Sequence, residues 1–223
     1  MKIVDRGLQF ARGFIMSYGN QATKKRLWDK EYREEKWRFA YNTAGDCVYA
    51  HLEKHARNGK ILDLGCGSGN TCTELSDASY GSYVGVDISE EALAKASKRS
   101  QDAGRAHKHK FVQSDFLGFE SSETFDVILF RESMYHVPIE RVKFLLDKLS
   151  PNLASDGVFI VRLAIMRDGK VKFRPKKMID IIANNFQVIE KNEYDKGGTV
   201  VIVFRPQDGS GKVNGRKASS HLS

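Results

Sequence analysis

Cysteine is scarce in this chain: Cys47, Cys66 and Cys72 are the only three among 223 residues. An odd count without a C-x-x-C pair argues against a disulfide framework and against a zinc or other metal site. It fits a reducing compartment. Long apolar runs are missing as well, and none is long enough to span a bilayer. Asp5, Arg6 and Arg12 interrupt the apolar residues near the start, which breaks any signal-peptide core. A cytoplasmic location is therefore expected. There is no internal repeat, no long Lys/Arg block and no run of interleaved basic and aromatic residues. The net charge of +8 comes from basic residues spread along the chain, so it is a weak reason to expect a nucleic-acid partner. The length suits one domain with a small appendage.

What the chain does have is a glycine-rich turn at Ile61-Leu62-Asp63-Leu64-Gly65-Cys66-Gly67-Ser68-Gly69-Asn70. The apolar run before it reads as a buried strand, and a helix is expected after it. Glycine tolerates positive φ and has no Cβ, so such a turn lets a ligand approach bare backbone. The helix N-terminus beyond adds free N–H groups and a positive dipole end. The dinucleotide fingerprint G-x-G-x-x-G would need a third glycine where Asn70 stands. Here the third glycine is Gly69, and the acid Asp63 precedes the set. Ser82-Tyr83-Val84-Gly85-Val86-Asp87 then reads as a second strand, ending in a carboxylate placed to accept from two ribose hydroxyls.

From residue 60 onward strand and helix patterns alternate, which signals an α/β fold with a parallel sheet. Strands are expected at 60–64, 82–87, 109–113, 125–130 and 157–164. Helices are expected at 69–78, from Ser89 to Ala103 with Gly104 as the stop, at 138–150 and at 175–184. The runs 186–193 and 199–205, joined through Asp195-Lys196-Gly197-Gly198, read as an antiparallel hairpin. Residues 1–58 are expected to form a helical cap or lid, with helices over Leu27–Ala40 and Gly45–Ala56. Residues 59–205 then form the cofactor-binding domain. The Gly-, Ser- and Lys-rich stretch 206–223 reads as a disordered tail.

At four successive strand ends the chain resembles the class I S-adenosylmethionine-dependent methyltransferases. Asp63-Leu64-Gly65-Cys66-Gly67-Ser68-Gly69 is similar to their first motif, and Gly85-Val86-Asp87-Ile88-Ser89 to the segment that follows. Gln113-Ser114-Asp115-Phe116 matches the acid after the third strand, and Phe125-Asp126-Val127-Ile128-Leu129-Phe130 the fourth strand. The ordered set spans about residues 60–205. It implies a Rossmann-like sheet of seven strands, mostly parallel, closed by an antiparallel C-terminal hairpin strand and topped by the N-terminal cap. The implied cofactor is S-adenosyl-L-methionine, released as S-adenosyl-L-homocysteine. A nicotinamide dehydrogenase is the runner-up by fold. The pair Tyr32 and Lys36 has its Tyr-x-x-x-Lys spacing, but it precedes the glycine turn and reads as chance.

The resemblance also implies roles. Gly65, Gly67 and Gly69 would pass close to the methionine and ribose portions. Asp63 would orient the loop or reach the amino group, or else only stabilise the turn. Asp87 would hold the ribose, Ile88 the adenine face, and Asp115 the exocyclic amine with Phe116 as a wall. The segment Arg131-Glu132-Ser133-Met134-Tyr135-His136-Val137-Pro138 would face both sulfonium and acceptor, which also places Arg131 beside the cofactor. It lacks the Asn/Asp-Pro-Pro-aromatic motif of adenine and glutamine N-methyltransferases and the Pro-Cys nucleophile of cytosine C5 enzymes. His136 is the candidate general base, because histidine titrates near working pH; it could equally pack or cap the next helix. Glu132 would bind a cationic acceptor or orient the cofactor, or sit solvated. Tyr135 would wall the acceptor. Arg131 and Arg162 suit an acidic acceptor group. Tyr32, Trp37 and Tyr41 of the cap are candidate acceptor contacts; the charged-aromatic run Trp28–Arg38 resembles the lid of small-molecule enzymes, or else is an amphipathic helix with core aromatics. The expected activity is methylation of a small molecule, at oxygen first and nitrogen next. The alternatives are an RNA or protein methyltransferase and a cofactor-binding subunit without chemistry.

Overall fold

A computed structural model describes residues 12, 15, 19–38, 41–165 and 175–207. Seven strands form one sheet in the order β3-β2-β1-β4-β5-β7-β6. They are β1 Lys60–Leu64, β2 Ser82–Asp87, β3 His109–Gln113, β4 Phe125–Arg131, β5 Leu153–Ala164, β6 Phe186–Tyr194 and β7 Thr199–Pro206. β1 to β5 pair in parallel, with Leu62 opposite Val84 and Ile128. β7 runs antiparallel to both β5 and β6. The Rossmann-like sheet with its antiparallel hairpin is thus borne out.

Alternation along the strands sends neighbouring side chains to opposite faces. One face carries Leu62, Leu64, Ile128, Phe130, Phe159, Val161 and Phe204 against α5 (Val142–Leu149) and α6 (Pro175–Asn185). The other carries Ile61, Tyr83, Val127, Leu129, Ile160 and Val203 against α2 (Val48–Ala56), with Cys72 of α3 (Asn70–Glu74) and Leu93 of α4 (Glu90–Asp102). Both faces are covered, so the central strands read as near-continuous apolar runs.

Local signals set most element ends. Ser89 Oγ accepts from Ala92 N at 3.2 Å and caps α4, with Glu90 and Glu91 in its first turn. Several ends differ from expectation, including the starts of α2 at Val48 and of α5 at Val142, later than 45 and 138. The first helix, α1, spans Gln21–Arg33, because Asn20 Oδ1 caps it by accepting from Thr23 N at 2.9 Å. It closes where Lys36 N donates to Glu31 O with Glu35 at φ 56°, a Schellman-type turn built without glycine; Ala40, its expected end, lies outside the described residues. The helix after the glycine turn is only α3 plus a 3₁₀ turn at Asp77–Ser79, far shorter than 69–78. β5 starts at Leu153, earlier than 157. β7 runs to Pro206, and the expected tail beyond 207 lies outside the described residues.

Candidate functional site

A cavity of about 500 Å³ opens at the carboxyl ends of the central parallel strands, beneath α1. At one end β1 breaks into the glycine turn. Gly65 sits at φ 83°, and a Cβ there would stand 2.4 Å from Ser133 Cβ, so the backbone closes on the loop after β4 only because no side chain intervenes. Ser133 Oγ fastens that approach by donating to Leu64 O at 2.5 Å. Asp87 ends β2 beside this turn. Its Oδ2 accepts from Gly67 N at 3.0 Å and its Oδ1 from Ser89 N at 2.9 Å. Burial nevertheless raises its pKa to about 6. Each carboxylate oxygen keeps a lone pair for a further donor. Ile88 and Phe116 supply apolar walls, and Asp115 lines the cavity while Oδ1 accepts from Leu117 N and Gly118 N.

α1 covers the cavity with Gln21, Lys24, Trp28 and Tyr32. The spacings of three and four put these side chains on one helix face. Tyr32 lies over the glycine turn: a Cβ on Gly67 would meet its hydroxyl at 2.7 Å. Burial first, then the charge of Asp87, pushes its pKa up. Tyr41 sits on the same side, with its hydroxyl accepting from Lys95 Nζ at 3.0 Å and its ring beneath Arg99. Both tyrosines, expected at the acceptor, are placed beside the glycine turn and α4. Charged contacts dock α1 on α4: Ser89 Oγ donates to Asp29 Oδ1 at 2.8 Å, and Arg33 pairs with Glu91.

The opposite end is aromatic. Trp28 meets His136 edge-on at 5.1 Å, and meets Trp37 at 5.2 Å with the rings tilted by 34°. Trp37 Nε1 donates to buried Glu31 at 3.2 Å, and Arg12 pairs with Glu31 at 2.8 Å while lying over both indoles. Burial, with Arg12 and Lys24 nearby, lowers the His136 pKa to about 4. That corrects the expectation of titration near working pH: the imidazole is neutral at pH 7 and is a weak base in the unliganded protein. Tyr135 donates to Ala164 O at 2.8 Å, and burial raises its pKa, so it is a wall and not an acid.

Glu132 lines the cavity at φ 53°, a strained backbone for a residue with a Cβ. Arg162 holds it there: its guanidinium pairs with the Glu132 carboxylate, and its carbonyl accepts from Glu132 N at 3.1 Å. Asp46 anchors the group, pairing with Arg131 at 3.1 Å and Arg162 at 3.4 Å, while its Oδ1 also accepts from Val48 N at the start of α2. These guanidinium charges, together with the Val48 N–H, overcome burial and lower the Asp46 pKa. Arg162 therefore does not line the cavity, and Arg131 lines it with its charge already met.

Two more expected residues stand behind the cavity. Asp63 is buried, accepts from Tyr83 Oη at 2.6 Å, and has its pKa raised by burial. Gly69, at φ 77°, makes room for Ala96 of α4. Lys24, Gln21 and Asp46 were missed as site residues, and Trp28 and Ser133 were read only as members of longer runs. The helical spacing of 21, 24, 28 and 32 could have found Gln21 and Lys24; Asp46 carries no local signal.

The model of a methyltransferase domain family matches residues 55–196. The chain belongs to the methyltransferase domain family. The resemblance read from the four strand ends is borne out. Among curated relatives, sterol 24-C-methyltransferase ERG6B of Gibberella zeae is 27% identical over 139 residues, 59% of this chain and 36% of that protein. Carboxy-S-adenosyl-L-methionine synthase of Campylobacter fetus is 32% identical over 144 residues, 63% of this chain and 55% of that one. The chain thus spans only 36% and 55% of these relatives' own lengths. Among solved structures, N-methyltransferase NodS of Bradyrhizobium japonicum, in complex with S-adenosyl-L-homocysteine, superposes with a TM-score of 0.63 at 18% identity, covering 82% of this chain and 98% of its own. Magnesium protoporphyrin IX methyltransferase of Synechocystis, also with that product bound, gives 0.65 at 16%, covering 83% and 100%. Both share the fold of this chain. Among its described residues no helix is long and apolar enough to cross a membrane.

Proposed function

We propose that this methyltransferase moves the methyl group of S-adenosyl-L-methionine to a small-molecule acceptor, at oxygen first and nitrogen next. One observation carries the reading: a single cavity joins a glycine-and-acid end to an aromatic end, and α1 closes over both. The glycine end fits the donor. Gly65 and Gly67 offer bare backbone, Asp87 two oxygens for ribose hydroxyls, Ile88 and Phe116 flat apolar walls, and Asp115 an acceptor for an exocyclic amine. Tyr32 and Tyr41 cover this end. When bound, the donor supplies an already activated methyl group.

The chain's own work is then to hold the acceptor atom in line, exclude water and receive a proton. Glu132 and His136 face the cavity from the loop after β4. Glu132 is held rigid by Arg162 and suits orientation. His136, neutral at pH 7, accepts a hydrogen bond from an acceptor hydroxyl, and takes its proton as positive charge leaves the sulfur. The side chains of α1 over the cavity favour a small acceptor over a polymer.

Calorimetry with S-adenosyl-L-homocysteine tests the donor half, and methyl transfer to a panel of small phenols and amines tests the acceptor half. The expected result is product binding, with turnover on phenols that falls at least tenfold in His136→Gln. Turnover on amines alone overturns the preference for oxygen; transfer to RNA alone overturns the small-molecule reading.

A further inference from the structure

Guanidinium chemistry made Arg131 and Arg162 candidate holders of an acidic acceptor group, and the structure gives both carboxylate partners within the protein. Each is already paired with Asp46, and Arg162 with Glu132 as well. Arg12 is paired with Glu31. Among the described cavity-lining residues this leaves one cation without a carboxylate partner, Lys24 on α1. It stands one turn from Trp28, whose ring meets His136.

The donor's own carboxylate does not account for Lys24. α1 runs along the cavity with Gln21 near Ile88, Ser114 and Asp115 and Tyr32 over Gly67. On the proposed reading the methionine portion follows the glycine turn, at the Tyr32 end. Eight residues of helix, about 12 Å, separate that end from Lys24. An anion held by Lys24 therefore belongs to a second molecule, lodged in the cavity beside Trp28 and His136. The walls of that space are flat and apolar, and such walls pay back a planar body with stacking and burial.

We infer that the methyl acceptor is a flat aromatic carboxylic acid, its ring against Trp28 and its carboxylate anchored by Lys24. This rests on the methyltransferase reading above and deepens it. An ammonium on a flexible stem suits a carboxylate as a point charge, without the fixed fork of an arginine. The acid's other polar group, a hydroxyl or amine, would be the one presented to His136.

The chain contains two tryptophans, Trp28 and Trp37, and both line this cavity. Their fluorescence therefore reads occupancy directly. The probes are 4-hydroxycinnamate, 4-hydroxybenzoate and indole-3-propionate, each against its primary amide, titrated under saturating S-adenosyl-L-homocysteine. At least one acid is expected to bind ten times more tightly than its amide. In Lys24→Gln that preference disappears while the amide's Kd stays within twofold, and in Lys24→Glu it reverses. Equal binding of acid and amide in the wild type, no binding of any acid, or a preference that survives both substitutions overturns the inference. The calorimetric titration with S-adenosyl-L-homocysteine separates the two levels. Product binding without acid preference breaks this inference alone, whereas absence of product binding breaks the donor-site reading beneath it.

Discussion

The two ends of the cavity are built in different ways. The glycine end is assembled from strand ends, where each contributing residue sits within a few positions of the turn that aims it. Gly67 N–H reaches Asp87, and Asp87 caps its own following turn through Ser89 N. The aromatic end is assembled across long stretches of chain. Asp46 meets Arg131 and Arg162, Trp28 meets His136, and Arg12 meets Glu31. Backbone geometry defines the first end, and side-chain packing and ion pairing the second. The first kind of site is robust to what surrounds the sheet. The second can change with a few substitutions, which suits an end that must fit one acceptor.

If the aromatic end depends on paired charges, cutting its central carboxylate should have the largest effect. Asp46→Ala leaves two mostly buried guanidiniums without their shared partner and should cost about 3 kcal/mol. The denaturation midpoint measures it. A loss below about 1 kcal/mol would mean that water already meets those charges. At the glycine end the matching test is Gly65→Ala, which adds a Cβ 2.4 Å from Ser133 at φ 83°. It should cost about 2 kcal/mol and abolish product binding together. Retained affinity would show that the close approach of backbone to loop is dispensable.

Acid sharpens the contrast, because the two ends respond with opposite sign. The pKa of His136 at the aromatic end, and of His109 in the sheet, is lowered to about 4 by burial. The unfolded chain binds these protons first, so their stabilisation is present above about pH 6.5 and is lost as pH falls toward 4. Asp87 is raised to about 6, so the folded state holds its proton longer and gains stability relative to the unfolded chain as pH falls from about 6 to 4. Asp63, raised by burial as well, adds to Asp87 against the two histidines, so the histidine contribution is read from a variant: the Tm of the wild type should fall more steeply over that window than that of His109→Gln. A wild-type Tm that rises would put the two acids in control. Product affinity should weaken below about pH 6, where Asp87 protonates. The smallest effect is expected outside both ends: Arg33→Ala removes an exposed pair with Glu91 and should leave the midpoint unchanged within error.

The same division explains what could be read from the residues alone. The sheet and the hairpin follow from strand patterns and turn chemistry, which are local, and the resemblance singled out Gly65, Gly67, Asp87, Ile88, Asp115 and Phe116 from motifs that are local too. All six line the cavity. At the other end Glu132, Tyr135 and His136 were found because the loop after β4 is also a strand end. Arg162 was misjudged because its direction is set by Asp46, more than a hundred residues earlier in the chain. Tyr32 and Tyr41 fell on the other side of the cavity because their placement depends on how α1 docks on α4, through contacts such as Asp29 with Ser89 that no periodicity announces. The helix end at Glu35 was missed for a similar reason: a left-handed turn without glycine leaves no signal.

Everything proposed for the acceptor presupposes that the glycine end holds the donor, and Asp87 is the residue on which that rests. The deciding measurement is the affinity for S-adenosyl-L-homocysteine of the wild type and of Asp87→Ala at pH 7.5, by calorimetry. The expected result is clear binding by the wild type and a loss of at least about 1.5 kcal/mol, more than tenfold, in the variant. Equal affinity in the two proteins would contradict it.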